Sequence, residues 1–509
     1  MREAAFGRLF HIQKIDRIEC NMTNSATSSL GTRFVFPGHG NAIFVILILA
    51  LTVNFLFSTG HDSQRCFEVA ALCMVAALMV GRICMGWVIK LPKISTPLLA
   101  IFFILGLLSA LQAYSLRHAV YEWTCFLLLL ALVFSFASEL AQDMSRVDKL
   151  LHWVGIACGL YSLRILIMYA AALASGYQPD WTDLTVGFSN LRFLNHTQTS
   201  LLPLLVLLCI KASPSNGWRK VWFTLIAFWW ALLFVTEARA TILALSVGCT
   251  VALMVRRSQA RHFVETMAFA AIAGLIIYAL CFILLPLLFS LQPLGLPANV
   301  LERTVANPTS DRSYLWKLAT HSIASHPWLG VGPQHFAHEG ATLYKGAHPH
   351  NFYLQIAAEW GIPALLCLAS VLVLSARVLA RAGARLAAVD LANQQILTTL
   401  IVAGTAILID ALFSGSFVMP QSQLAIALVF SIGYAWVSHQ EGTASQLASR
   451  QSALKRGLMA GLIIAAVYGL IWSVAPDFVR HAKKGALTPA ELTANPETHW
   501  SRMWEAGYF

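Results

Sequence analysis

The densest group of polar side chains in this chain runs from Ala347 to Leu365, in AHPHNFYLQIAAEWGIPAL. His348 and His350 stand just ahead of an apolar run, with Asn351 next and Gln355 one helical turn further on. Imidazole titrates near neutral pH, so either histidine can take a proton from a hydroxyl nucleophile. The plainer reading is that these residues cap a helix or sit at a wet interface. The company of Asn351 and Gln355 favours chemistry over that reading. His335 and His338 supply two more imidazoles. No matched carboxylate cluster accompanies the four, so no metal is expected.

Arginines give the second signal. Arg239 ends an apolar run in TEARATIL, Arg312 opens the amphipathic stretch DRSYLWKLA, and Arg192 lies in NLRFLNHTQT. A guanidinium offers a planar fork of donors that matches phosphate oxygens and stays charged at any physiological pH. Each arginine could equally form an ordinary ion pair, Arg239 with Glu237 or Arg312 with Asp311. Arg82, Arg164 and Asp410 are ionisable residues inside apolar runs, where such groups usually face the interior of a bundle. For Arg82 and Arg164 a structural pair or snorkelling is the expectation. Asp410, near a helix end, could orient a base or pair with an arginine. No Walker loop and no Asp-x-Asp pair is present, which argues against nucleotide hydrolysis and against a metal-bound nucleotide sugar. A pyrophosphate-linked donor needs neither, only positive charge where its leaving group develops negative charge.

Membrane-spanning helices must position these residues. Hydrophobic residues make up 58% of the 509 residues and charged ones 12%, against about 25% charged in a soluble domain. About 20 apolar residues cross a bilayer core. Runs of that kind fall near 42–59, 67–89, 96–114, 120–138, 151–175, 199–213, 220–236, 240–256, 264–290, 352–376, 396–414, 418–437 and 457–475. The expected fold class is therefore all-α, a polytopic membrane helical bundle of 12–13 spans with a large, partly helical loop. No repeat symmetry and no broken helix is visible, which argues against a transporter, the rival from another class.

The net charge of +11 is not a nucleic-acid signal, because the basic residues occupy short hinges between apolar runs. Lys90 and Lys93, Arg146 and Lys149, and Lys211 with Arg219 and Lys220 fall in alternate loops. So do Arg256 with Arg257 and Arg261, then Arg377, Arg381 and Arg385, then Arg450, Lys455 and Arg456. All these loops face the cytoplasm if the N-terminus does. The segment 176–198, the turn near Arg239 and the long stretch 291–350 then lie on the opposite face. Arg192, Arg239 and Arg312 run against the positive-inside bias there, and their shared face also holds His350. Trp316, Trp328 and the glycines at 330 and 332 mark the long stretch as ordered, with short helices over the membrane surface.

Five segments follow: a cytoplasmic segment 1–40, nine spans over 41–290, a periplasmic loop 291–350, C-terminal spans over 351–475, and a polar tail 476–509. No cleavable signal peptide is visible, and Met22 offers an alternative start, so residues 1–21 are set aside. The ten cysteines form no CxxC pair and read as small buried hydrophobes.

The stretch from about Arg239 to Pro363 resembles the core of O-antigen ligases and the related O-antigen polymerases. Three motifs carry the resemblance: TEARATIL, then DRSYLWKLA with HPWLGVGPQHF, then HPHNFYLQIAAEWGIPA. It implies that Arg239 and Arg312, with Arg192 at lower weight, bind a carrier pyrophosphate. It implies that His350 activates the acceptor hydroxyl; His348, Asn351 and Asp410 are taken as supporting residues from their own positions in the sequence. The implied fold is a helical bundle of typically twelve spans with no metal and no cofactor. The thirteenth run and the polar tail depart from that pattern. The implied partners are an undecaprenyl-pyrophosphate-linked glycan, a lipid A-core acceptor and membrane lipid, with no nucleic acid. The implied place is the bacterial inner membrane, with the active site facing the periplasm. A polymerase or a protein O-oligosaccharyltransferase shares the same core motifs, so the acceptor stays open.

Overall fold

A computed structural model describes residues 42–86, 92, 95–180, 184–213, 215, 217–295, 312–338, 346–387, 389–442 and 452–484. The expected segment 1–40, the hinge residues Lys90, Lys93 and Arg450, Asp311, and the tail beyond 484 lie outside the described residues. Among the described residues the fold is all helical, with no strand.

The helices are α1 (Ala42–Phe57), α2 (His61–Cys84), α3 (Thr96–Gln112), α4 (Leu116–Gln142), α5 (Ser145–Ala174), α6 (Leu191–Lys211), α7 (Gly217–Val235) and α8 (Arg239–Arg256). They continue as α9 (Ser258–Leu288), α10 (Arg312–Ser325), α11 (Phe352–Trp360), α12 (Ile362–Ala384), α13 (Leu391–Asp410), α14 (Pro420–Gln440) and α15 (Ala453–Lys484). Ten of them are long and apolar enough to cross a membrane, and α1 and α3 are shorter apolar helices. Each expected run coincides with one of these helices apart from its ends, the run 352–376 with a pair of them, and residues 87–89 of the run 67–89 lie outside the described residues. The run 457–475 is the middle of α15, which continues past Pro476 and is tied to α4 by the Arg117–Asp477 ion pair at 2.9 Å.

Burial separates the bundle's axis from its lipid face. Every residue of α6 from Leu194 to Ile210 is buried. In α12 only Ala364, Ala382 and Gly383 are, so nearly all of its apolar surface is left for lipid. Around α6 pack α7, α13 and α14, and α13 lies along α8. The ionisable residues inside the bundle are paired, as lipid demands. Arg82 pairs with Glu139. Arg164 donates to the carbonyls of Phe55 and Leu56 at 2.9 and 3.1 Å, covering the open end of α1. Arg65, which hydropathy does not single out, is buried against Glu68 at 2.5 Å and Gln423 at 2.7 Å.

The run 352–376 is not one helix. It breaks at Gly361, whose φ is +90°, into α11 and α12, so the expectation of unbroken helices is corrected. The cause is a long-range contact. The segment 326–338 docks edge-on against α11, with Val331 N–H donating to Ala358 O at 2.9 Å and Gly332 N–H to Glu359 O at 3.0 Å. Across the break Ile362 N–H donates to Pro327 O at 2.9 Å. A Cβ at position 361 would sit 2.2 Å from the Trp328 carbonyl oxygen. Ser109 and Gln112 of α3 close the arrangement, donating to Glu359 O at 2.7 Å and Gly330 O at 3.1 Å. Gly361→Ala adds both this clash and backbone strain of about 1–3 kcal/mol. It is expected to lower the melting temperature of the detergent-solubilised protein by several degrees. Gly404→Ala in α13, where nothing lies within 4 Å of the new methyl, is the matched control. Equal melting of the two variants would contradict the docking account.

Candidate active site

The site begins at the first turns of α6. Asn190 caps this helix by accepting from Arg192 N–H at 2.9 Å. The helix starts at Leu191, eight residues before the expected span, so Arg192 lies on its first turn and His196 on its second. The next residues, Asn195 to Ser200, are polar and all buried. They stay helical because they bond across to neighbouring helices. Asn195 Nδ2 donates to Thr236 Oγ1 at 2.9 Å, Gln198 Nε2 to Trp229 O at 2.9 Å, and Thr241 Oγ1 to Asn195 O at 3.3 Å. These bonds fix the α7–α8 corner, and with it Arg239, against α6.

That corner is strained. Glu237 has a φ of +53°, which a non-glycine side chain rarely adopts. The turn aims its carbonyl at two donors, Arg192 Nη1 at 3.0 Å and Arg239 N–H at 2.8 Å. Arg239 is the first residue of α8.

His350 is the second strained position, with φ +52°. Its neighbours hold it from both sides. His350 N–H donates to His348 Nδ1 at 3.2 Å, and the two rings lie 4.2 Å apart. His348 is itself buried against Gly415, where a Cβ would come within 2.5 Å of Cε1. Pro349 O accepts from Trp316 Nε1 of α10 at 3.1 Å. Asn351 caps α11, its Oδ1 accepting from Leu354 N–H at 3.0 Å. Phe352 N–H donates to Ala411 O at 2.9 Å, at the end of α13. The asparagine thus does the capping work that the sequence left open, while the histidine is held in a conformation of its own. Strain of this kind collects at functional sites.

Arg312 opens α10 and Asp410 closes α13. Asp410 is fully buried, accepts from Ser414 Oγ at 2.6 Å, and lies 3.5 Å from His196 Nδ1. Electrostatics ties the members together. Burial pushes His350 down to about 3, and the positive charges of Arg312, His196 and Arg192 add to the shift. Arg312 is lowered by burial and by the charge of Arg239, with Asp410 opposing. His350 is therefore a neutral imidazole with a free lone pair, surrounded by cationic groups.

Arg192, Arg239, Arg312, His348, His350 and Asp410 thus meet at one end of the bundle. The N-termini of α6, α8, α10 and α11 meet there too, and their dipoles add to the positive field. Three forks of donors beside a neutral base suit a diphosphate and a hydroxyl held together. His196 was missed in the sequence. Its signal was a polar run, HTQTS, opening an apolar stretch one turn after Arg192. His335 is no member of this group: its Nδ1 bonds Pro333 O and its Nε2 accepts from Ser115 N–H, each at 2.8 Å. Among the described residues no three His, Cys, Asp or Glu side chains are grouped to hold a metal.

The family profile described as O-Antigen ligase matches residues 222–369. The matched stretch runs from α7 into α12 and contains Arg239, Arg312, His348, His350 and Asn351. Arg192, His196 and Asp410 lie outside it. Members of the family are glycosyltransferase-like enzymes acting on lipid-linked sugars. No curated protein matches the chain.

Proposed function

From a multi-pass chain that carries an O-antigen ligase region at residues 222–369, we propose an O-antigen ligase that moves a glycan from undecaprenyl pyrophosphate to a sugar hydroxyl of lipid A-core. The observation that carries this reading is a neutral histidine lowered by the charges of Arg312 and Arg192, with Arg239 acting in turn on Arg312. Arg239 and Arg312, with Arg192, hold the donor's diphosphate and stabilise the charge that builds on it as the glycosidic bond breaks. His350 takes the acceptor's proton as its oxygen attacks the anomeric carbon. Direct displacement inverts that carbon. Holding both partners in line supplies much of the rate by proximity alone.

The site faces the periplasm in this reading. Arg192 and Arg239 start α6 and α8, whereas Lys211 and Arg256 end them. The basic hinge residues thus lie at the far ends of the helices from the site, as the positive-inside rule requires of a periplasmic centre in the inner membrane.

Cells lacking the gene test the acceptor. A ligase mutant makes lipopolysaccharide without O-antigen while polymeric glycan accumulates on its carrier. Caps of single repeat units would indicate a polymerase instead, and loss of glycoprotein staining a protein O-oligosaccharyltransferase.

The pH profile tests the base. Only neutral imidazole accepts a proton, so a lowered pKa carries activity to lower pH. The acid limb of kcat/KM, which reports the free enzyme, is expected well below 6.5. A bound diphosphate offsets the guanidinium charges around His350, so the acid limb of kcat is expected at higher pH than that of kcat/KM. Coincident limbs at or above 6.5 would contradict the assignment.

A further inference from the structure

His196 has no part in the scheme above, yet its position is built. It is buried on α6, one turn from Arg192, and its Nδ1 is turned toward Asp410 Oδ2 at 3.5 Å. Asp410 is fully buried, and its other oxygen, Oδ1, has no hydrogen-bond partner among the described residues. The Asp410 carboxylate thus faces one edge of the His196 ring across the contact between α6 and α13. Nδ1 makes no hydrogen bond at that distance, and the second ring nitrogen, Nε2, has no hydrogen bond among the described residues. The surrounding charges come from every wall of the site: Arg192 on α6, Glu237 and Arg239 at the α7–α8 corner, Arg312 on α10, His348 and His350 ahead of α11, and Asp410 on α13.

We infer that His196, oriented by Asp410, is the acid that protonates the departing diphosphate. The inference rests on the glycan-transfer reading. As the acceptor oxygen bonds to the anomeric carbon, the bond from that carbon to the phosphate oxygen breaks, and its electron pair goes to that oxygen. His196 Nε2–H gives its proton there, while His350 receives the proton of the acceptor hydroxyl. One proton is taken up and one released. A transfer from His350 to His196, directly or through water, restores both groups, and no outside co-reactant is needed. Asp410 acts through His196 and is a positioning residue; His196 touches the leaving group.

The test is the alkaline limb of kcat, measured with purified protein, a lipid-diphosphate-linked glycan and a hydroxyl acceptor. Wild type is expected to lose rate as His196 loses its proton; a kcat flat to the alkaline stability limit overturns the proposal. His196→Gln is expected to lower kcat about 100-fold, at the low end of acid–base effects because diphosphate already leaves readily. It is also expected to abolish the alkaline limb while leaving the acid limb in place. Asp410→Asn is expected to move the alkaline limb to lower pH rather than abolish it. A merely structural role would scale the whole profile in both variants without moving either limb, and that result overturns the proposal too. If His196→Gln does not fold, the wild-type profile and Asp410→Asn decide. Failure here leaves the acid limb and the His350 variants untouched, so it is distinguishable from failure of the transfer reading itself.

Discussion

Replacing His350 with alanine is expected to lower glycan transfer by about 10²- to 10⁴-fold while the protein still inserts and assembles. The separation of chemistry from folding follows from where the side chain sits. His350 has a φ of +52°, so alanine meets the same backbone cost that histidine already carries and adds no new strain. The local contacts that shape the turn belong to other residues: Asn351 caps α11, and Pro349 accepts from Trp316. What the substitution removes is a lone pair among cationic groups. His350→Asn tolerates positive φ still better and keeps a donor without becoming a base, so it is expected to be as inactive as alanine. Lipopolysaccharide banding in cells carrying each variant, with membrane levels checked by immunoblot, measures both points. Normal banding from either variant would end the base assignment.

Arg312→Lys is expected to lower kcat/KM about 10- to 100-fold although the charge is kept. A hydrogen bond between charged groups contributes about 1.5–3 kcal/mol, and lysine, a point donor on a flexible stem, cannot reproduce the bidentate fork. The effect is large at this position because Arg312 is largely withdrawn from solvent and lies in the same field as Arg239, Asp410 and His350. Arg261→Lys provides the comparison. Arg261 is solvent-exposed and bonded only along its own helix, to Glu265 at 2.7 Å, where an ion pair contributes little. Purified protein assayed against a lipid-diphosphate-linked glycan should separate the two variants clearly. Full activity of Arg312→Lys would show that charge alone suffices.

Much of the architecture could be read from hydropathy, because each span must be apolar over about 20 residues. Arg82 and Arg164 read as structural pairs, and Glu139 and the carbonyls of Phe55 and Leu56 are the groups they meet. The break at Gly361 was hidden, since it is imposed by the Trp328 carbonyl from another segment and Gly-Ile-Pro is not unusual inside an apolar run. The true start of α6 was hidden for a related reason. Hydropathy discounts Asn195–Ser200 as polar, whereas the fold buries them by pairing Asn195 and Gln198 with Thr236 and the Trp229 carbonyl.

The site was legible where residues break a rule. Arg192, Arg239 and Arg312 run against the charge bias of their expected face, and His350 sits beside an asparagine ahead of a helix. Their convergence depends on which helix ends meet, and spacing along the chain carries no trace of it. His196 went unnoticed because its partner, Asp410, is more than two hundred residues away in the chain. Arg65 escaped for the same reason, since Gln423 lies far along the sequence.

The proposed grip of Arg192, Arg239 and Arg312 on a diphosphate beside one imidazole is most directly tested by a cryo-electron microscopy structure of the protein with a bound lipid-diphosphate glycan. Diphosphate oxygens within hydrogen-bond reach of Arg239 and Arg312, with the anomeric carbon facing the ring of His350, are the expected result. A diphosphate seated elsewhere in the bundle, with those side chains pointing away from it, would contradict it.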